Sequence, residues 1–385
     1  MANDKTVALA LKTLQPRLPE MVGTLRSLVQ VESPSLDKNA ADVFAQLIAR
    51  KWRETGAKVE IIPQKHRGAH LRIKWPPKNN RATGQLLVLG HYDTVYAIGT
   101  LAKMPFRIAK GKAYGPGIFD MKAGIVQALY ACAALRELKT EVMKQIVFLW
   151  TSDEEIGSES SRKLLESEAR RSDAVFVLEP SFGTRGLLKT ARKGLGEAEI
   201  IVHGRASHAG LAPEEGINAI HELAKQIARI AKWQDPRRGV SIHAGIIEGG
   251  TRSNVIPERA RAVLDLRALR VADMRALEKR LRTLRPTTPG SRLEIRGGFS
   301  REPLEHKMSA ALFARAKNLA RQIGLELGEC TVGGGSDGNF TAALGVPTLD
   351  GLGAVGDGAH SQHEHIVIRD MAVRAALLAG LLATS

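Results

Sequence analysis

Four apolar runs in this chain end in residues able to hold a metal ion. LLVLGHYDTV supplies His91 and Asp93, QIVFLWTSDEEIGS supplies Asp153, Glu154 and Glu155, AVFVLEP supplies Glu179, and TLDGLGAVGDGAHS leads to His360. In α/β sheets functional groups gather beyond the carboxyl ends of the strands, so these ends are where a shared site would form. Two histidines and several carboxylates, with no cysteine among them, suit zinc or a similar borderline divalent ion. His91 and Asp93 lie two residues apart, so on extended backbone their side chains share one side, and a carboxylate there can accept the second ring N–H of a metal-bound imidazole. Taken alone, His-x-Asp at a strand end is also ordinary surface chemistry.

The stretch AYGPGIFDMKAGI sets Asp120 between a Gly-Pro-Gly turn and a helix. An aspartate there either caps the helix or faces two cations at once. Two dications about 3.5–4 Å apart repel unless an anionic ligand lies between them, and Asp120 is the natural bridge. In TSDEEIGS, neighbouring side chains on non-helical backbone point in different directions, so adjacent acids can serve a metal and its water separately. Residue type alone leaves open which acid does which.

These residues need a scaffold. In the first half, AKVEIIPQ, HLRIKW, GQLLVLGHYD, QIVFLWTSDEE and DAVFVLEP read as strands, while DVFAQLIARKWRET and MKAGIVQALYACAALREL read as helices. Continuous Val/Ile/Leu runs separated by helices indicate an α/β sheet buried on both faces. From about Gly194 the order becomes strand, helix, two strands, helix, strand, the order of a ferredoxin-like module inserted between two parts of the first domain. After Ser300 the α/β pattern resumes.

With 385 residues and 44% hydrophobic content, two domains are expected, each with its own core. The N-terminus carries an acid at position 4 and lacks a secretory signal pattern, and no run of about 18 apolar residues suggests a membrane span. Cys132 and Cys330 read as reduced thiols, mostly buried, which fits a cytoplasmic protein. The net charge of +16 invites a nucleic-acid reading, but the basic residues are scattered and aromatics reach only 4%, which argues against it. A basic surface that draws in anionic substrates is the better account.

In order along the chain, GHYDTV, GPGIFDMKAG, TSDEEIGS, VLEP, GRASHAGLAPEEGINA, TRSNVIP, GGGSD and GAHS resemble a zinc metallopeptidase family. That family includes glutamate carboxypeptidase, succinyl-diaminopimelate desuccinylase, acetylornithine deacetylase and aminoacylase. The chain is most similar to its folate-cleaving glutamate carboxypeptidases. The resemblance implies a di-zinc exopeptidase-type catalytic domain formed by residues 1–190 and 299–385, with a ferredoxin-like α+β lid and dimerisation domain at 191–298.

It implies that His91, Asp120 and Glu179 hold one zinc and that Asp120, Glu155 and His360 hold the other, with cobalt or manganese as substitutes. His360 is chosen by the GAHS register, although His363 and His365 stand close by. Asp93 would orient His91, Glu154 would be the general base acting on a metal-bridging water, and the peptide after Asp120 would be cis. His208 would stabilise the oxyanion from the partner subunit of a homodimer. Asn254 and Arg267 would contact a substrate carboxylate. The backbone N–H groups of TVGGGSDGNF, around Gly334 and Gly335, offer a further carboxylate cradle.

The implied reaction is hydrolysis of a peptidyl or N-acyl amino acid with a free carboxylate, glutamate being expected. Alternatives are a deacylase or dipeptidase for another amino acid, or a silent binding protein on this fold.

Overall fold

The apolar runs Gln85–His91, Gln145–Thr151 and Ala174–Val177 form adjacent parallel strands. The computed structural model describes residues 5–75 and 82–385, and contact clustering divides the chain into two compact units. The first comprises 1–190, 306–331 and 336–385, and the second 191–305 and 332–335.

In the first unit these strands sit at the centre of a mixed six-stranded sheet. Its edges are the antiparallel pair Lys58–Ile62 and His70–Trp75 on one side and the short parallel strand Thr348–Leu349 on the other. Alternate side chains explain why the runs are apolar without interruption. Leu86, Val88, Phe148, Trp150 and Phe176 belong to one buried cluster, and Leu87, Leu89, Val147, Leu149 and Val175 to another. Both faces are covered, as parallel strands require.

The helix Ala123–Glu137 is apolar on nearly every side because it is buried within this unit. It packs against Asp370–Thr384, which in turn packs against Thr6–Leu14. Helix Lys38–Glu54 starts where Asp37 accepts a hydrogen bond from the Ala40 N–H at 3.0 Å. Cys132 is buried and Cys330 partly so, and both are free.

The second unit is an antiparallel four-stranded sheet in the order Ser241–Gly249, Arg259–Ala268, Gly194–His203, Arg292–Arg301. Helices Ala219–Ala231 and Val271–Arg282 pack on it, giving the ferredoxin-like arrangement that the strand and helix order predicts. The first helix is capped by the Asn218 side chain, which accepts from the His221 N–H at 3.0 Å. A two-residue strand, Ser207–His208, pairs with Val255–Ile256. The sequence pattern is too short there to show it.

Candidate metal centre

The three parallel strands end on the same edge of the first sheet. His91 is the last residue of its strand, Glu179 lies two residues beyond Val177, and Glu155 lies in a single helical turn, Glu154–Ile156, after Thr151. Asp120 precedes the buried helix, and its peptide bond to Met121 is cis. His360 sits in the turn between two short strands with a left-handed backbone, φ +62°. A non-glycine residue held there is the kind of local strain found at functional sites.

These residues form two triads, His91–Asp120–Glu179 and Asp120–Glu155–His360, each with three donor atoms within 4.8 Å of one another. Asp120 divides its carboxylate between them. Its Oδ1 lies 3.1 Å from His91 Nε2, and its Oδ2 lies 3.5 Å from His360 Nε2. Glu179 Oε1 approaches His91 Nε2 at 3.3 Å, and Glu155 Oε2 approaches His360 Nε2 at 3.1 Å. Both imidazoles therefore present Nε2 to the carboxylates.

Behind the site, His91 Nδ1 lies 3.0 Å from the Asp93 main-chain oxygen and 3.5 Å from its carboxylate. The carboxylate expected to orient His91 is thus the more distant acceptor. Its stronger bonds go elsewhere, to the Ser35 hydroxyl at 2.7 Å and the N–H groups of Glu154 and Glu155 at 3.2 and 3.3 Å. Asp93 fixes the turn that carries both glutamates as well as the histidine.

Asp153 is fully buried and accepts from the Ser160 N–H and hydroxyl, each at 2.7 Å. It is the structural member of the acidic triplet. Of the three nearby histidines, only His360 faces Glu155 and Asp120. His363 pairs with the Ser361 hydroxyl, and His365 with the His363 main-chain oxygen.

Two supports were not singled out from sequence. Glu364 is completely buried, and its carboxylate accepts from the N–H groups of Gly117, Phe119 and Asp120 at 3.0, 2.8 and 3.0 Å and from the Tyr96 hydroxyl at 2.6 Å. It cradles the backbone that presents Asp120. An acid flanked by two histidines and followed by an apolar run was the available signal, but the histidines masked it. Asp337, in GGGSD, accepts from the Ser158 hydroxyl and holds the far end of the TSDEEIGS loop. Gly90 is required by close approach: a Cβ there would collide with Met121 and Trp150, and Met121 is the neighbour of Asp120.

Charge shows what the centre accommodates. Burial disfavours a charged His91, but Asp120, Asp93 and Glu179 outweigh it and raise its pKa well above the ordinary range. Asp120 and Glu155 push His360 up to about 10. Burial raises Asp120, but hydrogen bonds from both histidines overcome it and hold the carboxylate below its usual range. Burial and the nearby Asp120 raise Glu155 against the pull of His360. Three crowded carboxylates favour positive charge beside them, and two dications would supply it with the imidazoles as neutral ligands. The donor set fits a two-metal centre.

The remaining predicted residues belong to the second unit. His208 is exposed, and its Nδ1 accepts from the N–H groups of Gly210 and Leu211 at 3.2 and 3.1 Å, so its Nε2 carries the proton in the neutral ring. Asn254 lies beside it, its main-chain oxygen accepting from the Ala209 N–H at 2.9 Å.

Arg267 is already engaged. Nε and NH2 bind the two Asp265 oxygens at 2.9 and 3.0 Å, and NH1 donates to the Gly333 oxygen at 2.8 Å. The Gly334 and Gly335 oxygens accept from Arg192 at 3.2 and 3.1 Å. The carbonyls of this glycine loop are therefore held by two arginines.

A strand-end centre able to hold two metals, on a three-layered α/β sheet, defines the class as a dinuclear metallohydrolase. The model for peptidase family M20/M25/M40 matches residues 87–384, and the chain belongs to that family. It is 31% identical over 357 residues to carboxypeptidase G2 of Pseudomonas sp. (strain RS-16), covering 91% of this chain and 85% of that protein.

Among solved structures, the aminopeptidase PepT of Bacillus cereus matches with a TM-score of 0.80 at 23% identity, covering 96% of this chain and 98% of that one. YXEP of Bacillus subtilis, described as a dinuclear metal binding peptidase, matches with a TM-score of 0.69 at 15% identity, covering 97% and 98%. These two likenesses concern the fold. The protein is a hydrolytic enzyme of a metal-dependent peptidase family.

Proposed function

We propose that this enzyme is a di-zinc carboxypeptidase that releases a C-terminal amino acid, glutamate above others, from a peptidyl or N-acyl amino acid with a free carboxylate. The observation that carries the metal chemistry is Asp120, with one carboxylate oxygen toward each triad. The identity to a carboxypeptidase supports exopeptidase action, and the net charge of +16 favours an acidic substrate.

His91, Asp120 and Glu179 would hold one ion and Asp120, Glu155 and His360 the other, with cobalt or manganese as workable replacements. Zinc, when bound, supplies a Lewis acid for the scissile carbonyl and brings the pKa of a water to about 7. Glu154 takes a proton from the attacking water and delivers it to the leaving nitrogen as the C–N bond breaks. The second copy's His208 donates its Nε2–H to the oxyanion. Arg267, Asn254 and the loop at Gly334 and Gly335 receive the carboxylate. Ser241–Gly249 supports homodimerisation: it is an edge strand whose Ile246 and Ile247 are 51% and 59% exposed.

The test is to restore zinc, cobalt or manganese to metal-free protein and screen N-acyl amino acids, dipeptides and folate analogues. Release of glutamate at the highest kcat/KM supports the reading. Selectivity for a non-acidic side chain overturns the glutamate assignment and favours a deacylase or dipeptidase. In light scattering, Ile247→Asp is expected to shift a dimer toward monomer.

A further inference from the structure

Leu36, Val95, Ile98 and Ile156 are large aliphatic side chains that leave 72%, 46%, 56% and 38% of their surface exposed. They come from three separate stretches of the first unit and line one cavity of about 470 Å³ together with Tyr96 and Glu155. That volume falls within the range of small-molecule sites, about 300–1,000 Å³. Apolar surface gathered in this way is costly in water unless something covers it.

The place of the cavity and its charge say what does. Glu155 belongs to both the cavity and the Asp120–Glu155–His360 triad, so the cavity opens on the metal centre. Among the described residues no lysine or arginine lines it, and its carboxylates are Asp37 and Glu155. A substrate carboxylate would find no lysine or arginine there to pair with. The Tyr96 hydroxyl is already committed to the Ser361 main-chain oxygen and Glu364, so the ring is what it offers.

We infer that this cavity is the subsite for the acyl half of the substrate, and that it selects an uncharged apolar or aromatic acyl group. The inference rests on the amidase reading above. It adds that the carboxylate-bearing half is excluded from the Leu36–Ile98 side of the metal centre.

The test is a series of N-acetyl-, N-butanoyl-, N-hexanoyl-, N-benzoyl- and N-succinyl-glutamate given to zinc-loaded enzyme. We expect kcat/KM to rise up to about fourfold per added methylene, the limit set by full burial, and the succinyl compound to fall behind butanoyl. In the Leu36→Ser/Ile98→Ser variant the hexanoyl-to-acetyl ratio should collapse toward one. Val43→Ser, at a residue 62% exposed elsewhere on the surface, should leave the ratio as in wild type.

A wild-type ratio near one, or an unchanged ratio in the double variant, overturns the subsite. So does an apolar preference that tracks the amino-acid side in an N-acetyl-glutamate, -leucine and -phenylalanine comparison and is lost in the double variant. If no amide is cleaved, the carboxypeptidase reading falls. Saturable binding of benzamide that disappears in the double variant then still supports the cavity as a site, and equal binding to both proteins overturns it.

Discussion

The two units handle charge in opposite ways. In the first, Asp120, Glu155, Glu179, His91 and His360 converge on one another, a donor set that fits cations. In the second, Arg267 is matched by Asp265, Arg192 by glycine carbonyls, and the buried Glu222 by the side chains of Gln226, Thr287 and Thr288. One unit is organised to receive ions. In the other, these three charges already have partners, so a ligand that binds at one of them must compete with what is there. The size of that competition decides its relevance. The Arg267–Asp265 pair is 36% and 45% exposed, and such surface pairs contribute about 0–1 kcal/mol, so a carboxylate held at both oxygens can displace Asp265.

The largest expected effect lies in the first unit. Glu154→Gln should lower kcat by about 10²–10⁴-fold while metal analysis still finds two ions per chain. Near-normal turnover would remove Glu154 as the base. Glu364→Gln comes next. Loss of its cradle should weaken metal affinity about 10–100-fold, read by competition with a chromophoric chelator. An unchanged affinity would show that the Gly117–Asp120 backbone holds itself.

In the second unit, Asp265→Asn should free Arg267 and lower KM by up to about fivefold with kcat unchanged, the most that an exposed pair can hold back. A raised KM would mean that Asp265 positions the guanidinium for the ligand.

A further effect concerns stability and leaves turnover aside. Burial raises Glu222, but hydrogen bonds from Gln226, Thr288 and Thr287 bring it down to about 2 from an ordinary 4.5. A depressed carboxylate pKa stabilises the fold above the ordinary value, and that contribution is lost as pH falls from about 4.5 toward 2. Glu222→Gln should therefore cost roughly 1.5–3 kcal/mol at neutral pH in urea unfolding and flatten the acid limb. An unchanged acid limb would move the titration elsewhere.

The contrast also explains what could be read from sequence. The metal-ligand types stood out because parallel strands are apolar to their ends, so a histidine or acid just beyond one is conspicuous. The ferredoxin-like order was equally legible from alternating strand and helix periods. The support from Glu364, and the hold of Asp93 on the Glu154–Glu155 turn, were not, because they act through main-chain N–H groups, and a backbone donor leaves no mark in residue type. The Glu154 and Glu155 roles came from resemblance, since two adjacent acids carry no order of their own. The Arg267–Asp265 pair could have been suspected from their two-residue spacing on a strand, which puts both on one face.

The split of the first unit also bears on how the chain folds. Its candidate ligands come from residues 91–179 and from residue 360, with the second unit's 191–305 in between. During synthesis, the strands that lead to His91, Glu155 and Glu179 are made before His360 and Glu364, and the intervening unit has its own core with which to fold. The last stretch must then close contacts across more than two hundred residues, a long-range step that slows folding relative to local contacts. Until it closes, Asp120 lacks both its second histidine and the carboxylate that shapes its backbone. The second triad therefore stays incomplete until residues 360 to 364 have emerged.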